Sequence, residues 1–379
     1  MAYQNRLQNM THIKPKMIFH APFPLNENAT SASGIRPVKM RQAFIDSGYD
    51  VINVTGTEKE RKIALKNIQI ALKNGEEIDF LYSESSTMPS VLTGKYHLPF
   101  NSWVDQKIFR TAKKHNIPVG LFYRDIYWRF PIYRKTAGIA ATLYTYLFYK
   151  QELHHYSQTV STLFLPSAEM AKYLPELAEL PTIALPPGGE LNISKPDEIK
   201  NKKLQLLYVG GVGENYKLHH LVKAITQVPE CELTICTRVA DWNAAKNEYE
   251  KFTASNWNVV HLSGSELKEI YKNSDIAILF TEPQKYWDFA YPLKLSEYIT
   301  QGKPIIASAG SLTGTIVNKL KIGWSIPYTT SALISLLQDL LDSPEKISQA
   351  TQRTIAEAPE HTWNKRAQTV IQTLRPNFD

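Results

Sequence analysis

Short apolar runs alternate with segments of helical periodicity along this chain, and the alternation is completed twice. The first series starts at Lys16–His20 and reaches Leu185, and the second starts at Leu204–Val209 and continues to the last residues. Such alternation is typical of parallel strands that helices cover on both faces. Ligands of these sheets bind beyond the carboxyl ends of the strands. The sequence therefore predicts an α/β fold with two doubly wound, Rossmann-like units that face each other across a ligand-binding cleft.

The boundary between the two series is predicted at a run of turn-forming residues. Pro186-Pro187-Gly188-Gly189 is followed by the polar segment Asn192–Lys203, which has the composition of a linker. We therefore expect a first domain at residues 1–190 and a second domain at residues 191–360.

Periodicity also predicts the individual elements. In the first series the predicted strands are Lys16–His20, Val51–Val54, Phe80–Ser83, Ile117–Tyr123, Thr162–Leu165 and Ile183–Leu185, and the main helices are Gly34–Ser47, Glu58–Gly75, Asp105–His115 and Ala137–Tyr156. In the second series the strands are Leu204–Val209, Glu232–Cys236, Asn258–Leu262, Ile276–Phe280, Pro304–Ala307 and Trp324–Ile326, and the main helices are Leu218–Gln227, Ala240–Thr253, a helix from near Pro292, Ser331–Leu341, Pro344–Glu357 and Trp363–Leu374.

Composition excludes several classes of protein. The 379 residues are 43% hydrophobic and 21% charged, with a net charge of +7, which suits a globular protein that meets an anionic partner. Without an arginine-rich helix or zinc-finger spacing, we expect no nucleic acid. Only two cysteines are present, Cys231 and Cys236, so we expect a reducing cytoplasmic compartment and no disulfide framework. The polar N-terminus resembles no signal peptide, and no apolar run is long enough to span a bilayer.

The segment Phe289–Ser308 combines a helix start with opposite charges. Pro292 suits the first turn of a helix, and Gly302 suits the left-handed residue that ends it. Lys294 in the first turn opposes the helix dipole unless an anion binds nearby, and Glu297 shares its face. A cation for phosphate and a carboxylate for sugar hydroxyls are what a nucleotide-sugar site requires. The alternative is an ordinary surface ion pair between these two side chains.

A glycine cluster follows the first strand of the second series. In Tyr208-Val-Gly-Gly-Val-Gly-Glu-Asn-Tyr-Lys217, the glycines Gly210, Gly211 and Gly213 allow close approach of a ligand, and Lys217 can meet a phosphate. No Gly-Lys-Ser/Thr follows, so this is not a Walker A loop. The alternative is a tight strand-to-helix turn.

Taken together, these segments resemble the nucleotide-sugar-binding half of GT-B glycosyltransferases of the retaining family 4 group. The resemblance rests on the glycine-rich turn with Lys217, on Ser263-Gly264 before the strand led by Asp275, and on Pro292-x-Lys-x-x-Glu-Tyr ending at Gly302-Lys-Pro304. The segment from His361 is similar to the helix that crosses back onto the first domain in this fold. The resemblance therefore implies that residues 361–379 join the first domain.

The resemblance also implies site residues. The donor would be held by Gly34, Gly211, Gly213, Lys217, Gly264, Leu267, Pro292, Lys294 and Glu297. Lys217 and Lys294, with two helix N-termini, would stabilise the departing diphosphate. Two departures stand out: many family members have an arginine where Gly211 stands and a glutamate where Phe289 stands. The sugar-contacting carboxylate is thus unassigned, with Glu282 and Asp288 as substitutes.

The first half carries the candidate acceptor residues. Ser31-Ala-Ser-Gly34-Ile-Arg36 resembles the small-residue loop that approaches the donor phosphates, although Ser31 or Ser33 can simply cap the helix. Arg124 and Asp125 follow a strand, and the family often has a His-Asp there, so Asp125 is our candidate for catalysis or acceptor orientation; capping is its alternative. The acceptor candidates are Arg36, Glu84, Arg124 and Asp125. For Arg36 the alternative is a solvated helix residue.

An aromatic and basic segment from Tyr127 to Lys150 contains a strongly apolar helix. Interfacial helices have this composition, which would suit peripheral membrane association and a lipid-carried acceptor. The alternative is a core helix of the first domain. The adjacent pairs His154-His155 and His219-His220 point apart on helices and make poor metal sites.

The resemblance implies a hexosyltransferase type of enzyme, retaining, that moves a sugar from a nucleoside diphosphate sugar, with UDP favoured, to a hydroxyl of a glycan or lipid-linked acceptor in cell-envelope or exopolysaccharide synthesis. It implies neither metal nor cofactor, and a cytoplasmic location at the inner face of the membrane. A sugar-nucleotide epimerase or hydrolase, and a non-transferring partner subunit, are the rival functions. Homo- and hetero-oligomers both stay open.

Overall fold

Twelve strands in two parallel sheets form the framework of the computed structural model, which describes residues 14–29, 31–94, 99, 103–193, 203–214 and 216–375. Contacts between residues within the chain divide the protein into two compact units. Unit 1 is Met1–Leu165, Ala171–Leu185 and Ala367–Asp379, and unit 2 is Pro166–Met170 and Pro186–Arg366. The predicted N-terminal segment and most of the predicted linker Asn192–Lys203 lie outside the described residues.

Unit 1 is built on a parallel sheet of order β2-β1-β3-β4-β5-β6. Its strands are β1 Lys16–His20, β2 Asp50–Val54, β3 Phe80–Glu84, β4 Val119–Phe122, β5 Thr162–Leu165 and β6 Thr182–Ala184. Its helices are α1 Ala32–Asp46, α2 Glu58–Lys73, α3 Val104–Lys114, α4 Pro131–Ala137 and α5 Ile139–Thr159. Aromatic side chains of strands and helices pack edge to face between these layers, as for Phe19 and Phe44 at 6.5 Å.

Unit 2 repeats the plan with the order β12-β11-β10-β7-β8-β9. Its strands are β7 Leu204–Val209, β8 Cys231–Cys236, β9 Trp257–Val260, β10 Ile276–Leu279, β11 Ile305–Ser308 and β12 Gly323–Ile326. The helices are α6 His219–Ile225, α7 Val239–Ala245, α8 Leu267–Lys272, α9 Leu293–Thr300, α10 Leu312–Leu320, α11 Thr330–Asp342, α12 Glu345–Glu357 and α13 Trp363–Leu374. The predicted α/β fold with two doubly wound sheets is therefore confirmed.

Several predicted helices differ from the structure by a residue or two at their ends, and two differ in a way that has a clear structural cause. The helix predicted at Ala240–Thr253 ends at Ala245 and continues as a short 3-10 turn, because buried Tyr249 instead stacks on His219, with ring centroids 4.8 Å apart. The helix predicted from Ala137 begins at Ile139, since Gly138 has φ +81° and separates α4 from α5.

Each sheet has one point where the strand order reverses. In unit 1 the reversal lies between β1 and β3, and in unit 2 it lies between β7 and β10. The loops that leave neighbouring strands at such a point diverge to opposite faces of the sheet and open a crevice between them. The loops after β1, β3, β7 and β10 are therefore where ligand-binding residues are expected.

Candidate functional site

The loop after β7 brings the predicted glycines and Lys217 to the reversal point of unit 2. Gly213 has φ +137°, a backbone conformation that favours glycine, and a Cβ built there would meet no atom within 4 Å. The Lys217 carbonyl accepts a hydrogen bond of 2.6 Å from Tyr328 Oη, which fixes the end of the loop. Lys217 Nζ lies 2.8 Å from Glu282 Oε2, in the loop after β10. The two loops that flank the reversal are thus joined by one ion pair.

The helix α9 contacts the end of β7 and carries the second lysine. Pro292, the predicted start, is its N-cap residue, so the helix begins one position later at Leu293, and Lys294 lies in the first turn. The Val209 N–H donates a hydrogen bond of 2.8 Å to Tyr298 Oη, which ties α9 to the end of β7. Burial raises the pKa of the Cys236 thiol at the end of β8, and the nearby Lys294 ammonium opposes that shift. Lys294 therefore lies at the carboxyl edge of the sheet, as Lys217 does.

Lys294 forms an ion pair with Glu297, the contact that the alternative for this segment predicted, but the pair is only partly exposed. The two side chains are only 24% and 22% exposed. Tyr271 Oη also donates a hydrogen bond of 3.2 Å to Glu297 Oε2. A buried tyrosine from α8 thus holds the carboxylate in place, and no local motif in the sequence marks Tyr271 for this role.

The predicted donor-binding residues Gly264 and Leu267 follow β9. Gly264 has φ +56° and begins a 3-10 turn in which Ser263 and Glu266 form a capping box. Leu267 is the first residue of α8 and is half-buried. This turn therefore also lies at the carboxyl edge of the second sheet.

The N-terminus of α6, the second of the two helix starts expected to stabilise the diphosphate, has fewer unpaired N–H groups than expected. The helix α6 begins at His219, past Lys217, and the Leu218 N–H before it donates to Tyr249 Oη at 3.0 Å. One of its first amide groups is therefore already paired within the protein.

The two departures from the family pattern have clear structural settings. Phe289 is 2% exposed, and its carbonyl accepts a hydrogen bond of 2.6 Å from Ser167 Oγ, so its ring is a core group. A Cβ at Gly211 would lie 3.3 Å from the Tyr216 ring and 3.5 Å from Asp241 Oδ2. The ring of Tyr216 contacts Trp287, with centroids 5.3 Å apart, so aromatic groups occupy the surroundings of this loop.

Unit 1 has a pocket at its own reversal point. Its volume is about 270 Å³, and it is lined by the loop after β1, the loop after β3 and Arg124. Ser31 is the N-cap residue of α1 but its side chain makes no capping hydrogen bond, and the first turn of α1 has no acidic residue. Gly34 is required here for packing, because a Cβ there would lie 2.4 Å from Ala29 Cβ. The pocket wall therefore combines a helix N-terminus, hydroxyl groups and one guanidinium.

A buried charge cluster supports this pocket. Arg36 Nε donates to Glu84 Oε1 at 3.0 Å, Tyr82 Oη donates to the same atom at 2.7 Å, and Arg124 Nη2 lies 3.6 Å from Glu84 Oε2. Arg36 also lies over the Phe122 ring at 3.4 Å. Arg36 is 4% exposed and Glu84 is 0% exposed, so the alternative of a solvated Arg36 is wrong. Two guanidinium groups share one carboxylate, which leaves positive charge beside the pocket.

Asp125 makes a capping contact, as the alternative to a role in catalysis or acceptor orientation predicts. Its Oδ1 accepts a hydrogen bond of 2.9 Å from the Tyr127 N–H, so the carboxylate caps the turn after β4. The catalytic role of Asp125 stays a prediction, as do the acceptor roles of Arg36, Glu84 and Arg124.

A second buried polar network lies near the end of β1 and was not predicted. His20 Nδ1 lies 2.8 Å from Ser83 Oγ, and its Nε2 lies 2.9 Å from Asp105 Oδ1, which also accepts from Arg61 Nε at 2.8 Å. All four side chains are buried, so this network fixes the strand ends and cannot contact a solute. Among the described residues, no three histidine, cysteine or acidic side chains are grouped to hold a metal ion.

Comparison with known proteins gives a match to a family model within unit 2. Residues 190–357 match the model of the family "Glycosyl transferases group 1", and this range contains every predicted donor residue of unit 2. A search of curated proteins found no match.

Solved structures match over nearly the whole chain. HepE of Anabaena in complex with UDP has a TM-score of 0.67 at 12% identity, with 95% of this chain and 100% of that chain covered. WaaG, a glycosyltransferase involved in lipopolysaccharide biosynthesis, has a TM-score of 0.59 at 14% identity, with 95% and 100% covered. A putative UDP-N-acetylglucosamine 2-epimerase from Listeria monocytogenes has a TM-score of 0.53 at 11% identity, with 97% and 98% covered.

Similarity at such low identity shows the fold alone, and that fold is the predicted GT-B fold. The family match lies in the segment that carries both lysines. The two findings together show that this chain is similar to glycosyltransferases in fold and, over residues 190–357, in sequence.

Proposed function

We propose that this protein is a retaining glycosyltransferase that moves a hexose from a UDP-sugar to a hydroxyl group of a glycan or lipid-linked acceptor. The observation that carries the proposal is the arrangement of Lys217 and Lys294 at the carboxyl edge of the second sheet, in the segment that matches the family. Each ammonium group would contact the diphosphate, and with the start of α9 they would stabilise the charge that develops on it as the sugar leaves.

The other donor contacts follow from the same placement. Gly213 leaves open space where the backbone would approach the diphosphate, and Gly211 lies in the same loop. Glu297, held by Tyr271, would accept hydrogen bonds from the ribose hydroxyls. The turn from Gly264 to Leu267 would hold the base. UDP is favoured because HepE and WaaG share this fold and HepE was crystallised with UDP.

Glu282 is our candidate for the missing sugar-contacting carboxylate. Phe289 is buried and has no polar atom in its side chain, whereas Glu282 is 45% exposed in its side chain and already lies against Lys217. When the diphosphate replaces Glu282 as the partner of Lys217, the carboxylate would be free to accept hydrogen bonds from the sugar.

Unit 1 would supply the acceptor site and a donor-phosphate contact at Gly34. The hydroxyl-lined pocket beside Arg124 suits an anionic or hydroxyl-rich group, and the buried Arg36–Glu84 pair fixes the orientation of Arg124. Asp125 would orient the acceptor hydroxyl. Cell-envelope or exopolysaccharide synthesis at the cytoplasmic face of a membrane is the setting that we propose.

Replacement of Lys294 tests the proposal. We expect Lys294→Ala to weaken UDP binding and to lower turnover of the donor by about a hundredfold or more, because a cation that meets developing charge is lost. Lys319→Ala is the matched control, since Lys319 is an exposed lysine near the end of α10. Calorimetric titration with UDP and circular dichroism would separate lost binding from lost folding. Equal UDP affinity in both variants would rule out the site.

A second candidate function, as a sugar-nucleotide epimerase or hydrolase, is favoured by one structural match and by the two departures from the family pattern at Gly211 and Phe289. The putative UDP-N-acetylglucosamine 2-epimerase shares the fold, and an epimerase or hydrolase would consume the donor with no acceptor present. A non-transferring partner subunit, the third reading, would bind UDP weakly or not at all. Incubation of the protein with UDP-sugars alone, followed by product analysis, separates the three.

A further inference from the structure

One face of α5 exposes large apolar side chains in a continuous stripe. Ile139, Leu143 and Leu147 are 58%, 65% and 69% exposed, and they recur every four residues. Residues at this spacing lie above one another on the same side of a helix. Tyr144 and Tyr146, 38% and 44% exposed, flank the stripe. We call these five residues the α5 face.

The second half of the same helix is anchored in unit 1. Tyr149, Leu153 and Tyr156 are buried, and the Tyr149 ring stacks on Trp128 with centroids 4.4 Å apart and an angle of 8° between the rings. The helix therefore projects its first turns from a fixed base. The alternative of a core helix therefore holds for the second half of α5 only.

The segment that carries the α5 face has basic residues and no acidic ones. From residue 126 to residue 151 the sequence contains Arg129, Arg134, Lys135 and Lys150 and no acidic residue. Glu176 pairs with Arg129 and Lys150, while Arg134 and Lys135 are exposed on α4, which packs against α5. The apolar stripe suits the acyl chains of a lipid surface, the flanking tyrosines suit the level of the headgroups, and the basic residues suit anionic headgroups.

We propose that the α5 face binds the surface of a membrane that contains anionic lipid, with Ile139, Leu143 and Leu147 at the boundary of the acyl chains. The binding is interfacial, since none of the described helices is long and apolar enough to cross a bilayer. What the inference says about the substrate rests on the proposed function: of the two acceptors proposed there, a glycan and a lipid-linked acceptor, membrane binding selects the lipid-linked one. The binding itself requires no donor and can be measured without one.

Vesicle cosedimentation tests the proposal on the full chain. We expect binding to phosphatidylcholine vesicles that contain phosphatidylglycerol, and much weaker binding to phosphatidylcholine alone. Leu143→Ser with Leu147→Ser should lower the partition coefficient by about tenfold or more, because two large apolar groups no longer leave water. Arg134→Gln with Lys135→Gln should remove most of the preference for anionic lipid.

The matched control replaces two isoleucines of similar exposure elsewhere in unit 1. Ile63 and Ile70 on α2 are 60% and 58% exposed, and Ile63→Ser with Ile70→Ser should leave vesicle binding unchanged. Equal loss in this control, or no binding of the unaltered protein to anionic vesicles, would overturn the proposal. So would a dimer in solution that becomes a monomer on Leu143→Ser, because the face would then be an interface between two copies. UDP titration of the same variants keeps the donor site separate, since its affinity should not change.

Discussion

At the scale of single residues, Glu152 shows how burial sets a protonation state. This carboxyl group of α5 accepts a hydrogen bond of 2.8 Å from the Ser90 N–H, yet burial dominates and raises its pKa from 4.5 to about 7. Because the pKa is higher in the folded state, the protonated group stabilises the fold fully below about pH 4.5. That stability is lost as the pH rises through about 7.

Glu152→Gln should therefore change the pH dependence of stability. We expect the variant and the unaltered protein to have similar free energies of unfolding near pH 4.5, and the variant to gain up to roughly 3 kcal/mol above pH 7. Urea unfolding at several pH values measures the difference. Burial lowers the pKa of His155 to about 4, which gives the opposite trend, but it is common to both proteins and cancels. A difference that is constant with pH would contradict the assignment.

Tyr271 offers a second test at this scale. Tyr271→Phe keeps the ring but removes the hydroxyl that holds Glu297, so we expect UDP affinity to fall about fivefold, as for a lost hydrogen bond of about 1 kcal/mol. Dideoxy-UDP, which lacks the ribose hydroxyls, is the control ligand. Its affinity should be the same for both proteins in calorimetric titration, and an equal loss for both ligands would mean that Tyr271 acts elsewhere.

Residue roles could be predicted from the sequence where the two partners are close to each other along the chain. Lys294 and Glu297 are one helical turn apart, so their shared face, and an ion pair between them as the alternative to a ligand site, could be derived from the sequence. Arg36 and Glu84 are 48 positions apart and meet only through the pairing of β1 with β3, so no local pattern predicts them. The same holds for Tyr271 and Glu297.

At the scale of elements, the turn between α9 and β11 depends on Gly302. It has φ +69°, and a Cβ there would lie 2.9 Å from Ile355 Cγ1 of α12. Gly310 is the control within unit 2, since it has φ +78° but open space around a Cβ. We expect Gly310→Ala to cost about 1 kcal/mol of folding free energy and Gly302→Ala about 2–3 kcal/mol, because only the latter adds overpacking. Urea unfolding would measure both, and equal losses would show that Ile355 moves away freely.

Strands were predicted better than helices, and the reason is physical. A strand such as Leu204–Val209 is buried on both faces, so its bounds are marked by an apolar run. The helix after β8 has its apolar residues at helical spacing to Phe252, but contacts of Tyr249 with Leu218 and His219 take precedence over local periodicity. The exposed α5 face likewise has the hydrophobic pattern of a core helix, and only the structure shows which half is covered.

At the scale of the whole molecule, ligand binding should act first on unit 2. The predicted donor residues from Gly211 to Glu297 belong to that unit, so UDP at about a hundredfold above its Kd should stabilise it by about 2.7 kcal/mol. Hydrogen exchange should slow in β7 amides, and the Lys294→Ala variant should lose the effect. Slower exchange in β1 without any change in β7 would place the nucleotide in unit 1. Local slowing at Ser31–Gly34 would support the donor contact of Gly34.

The resting partners of the two lysines have a consequence for selectivity. Lys217 and Lys294 each already contact a carboxylate, so a simple anion gains little by displacing one of them. A pyrophosphate group can engage both ammonium ions at once and release both carboxylates in a single event. We therefore expect UMP and inorganic phosphate to compete poorly with UDP, and the protein to resist occupation by the abundant small anions of a cell.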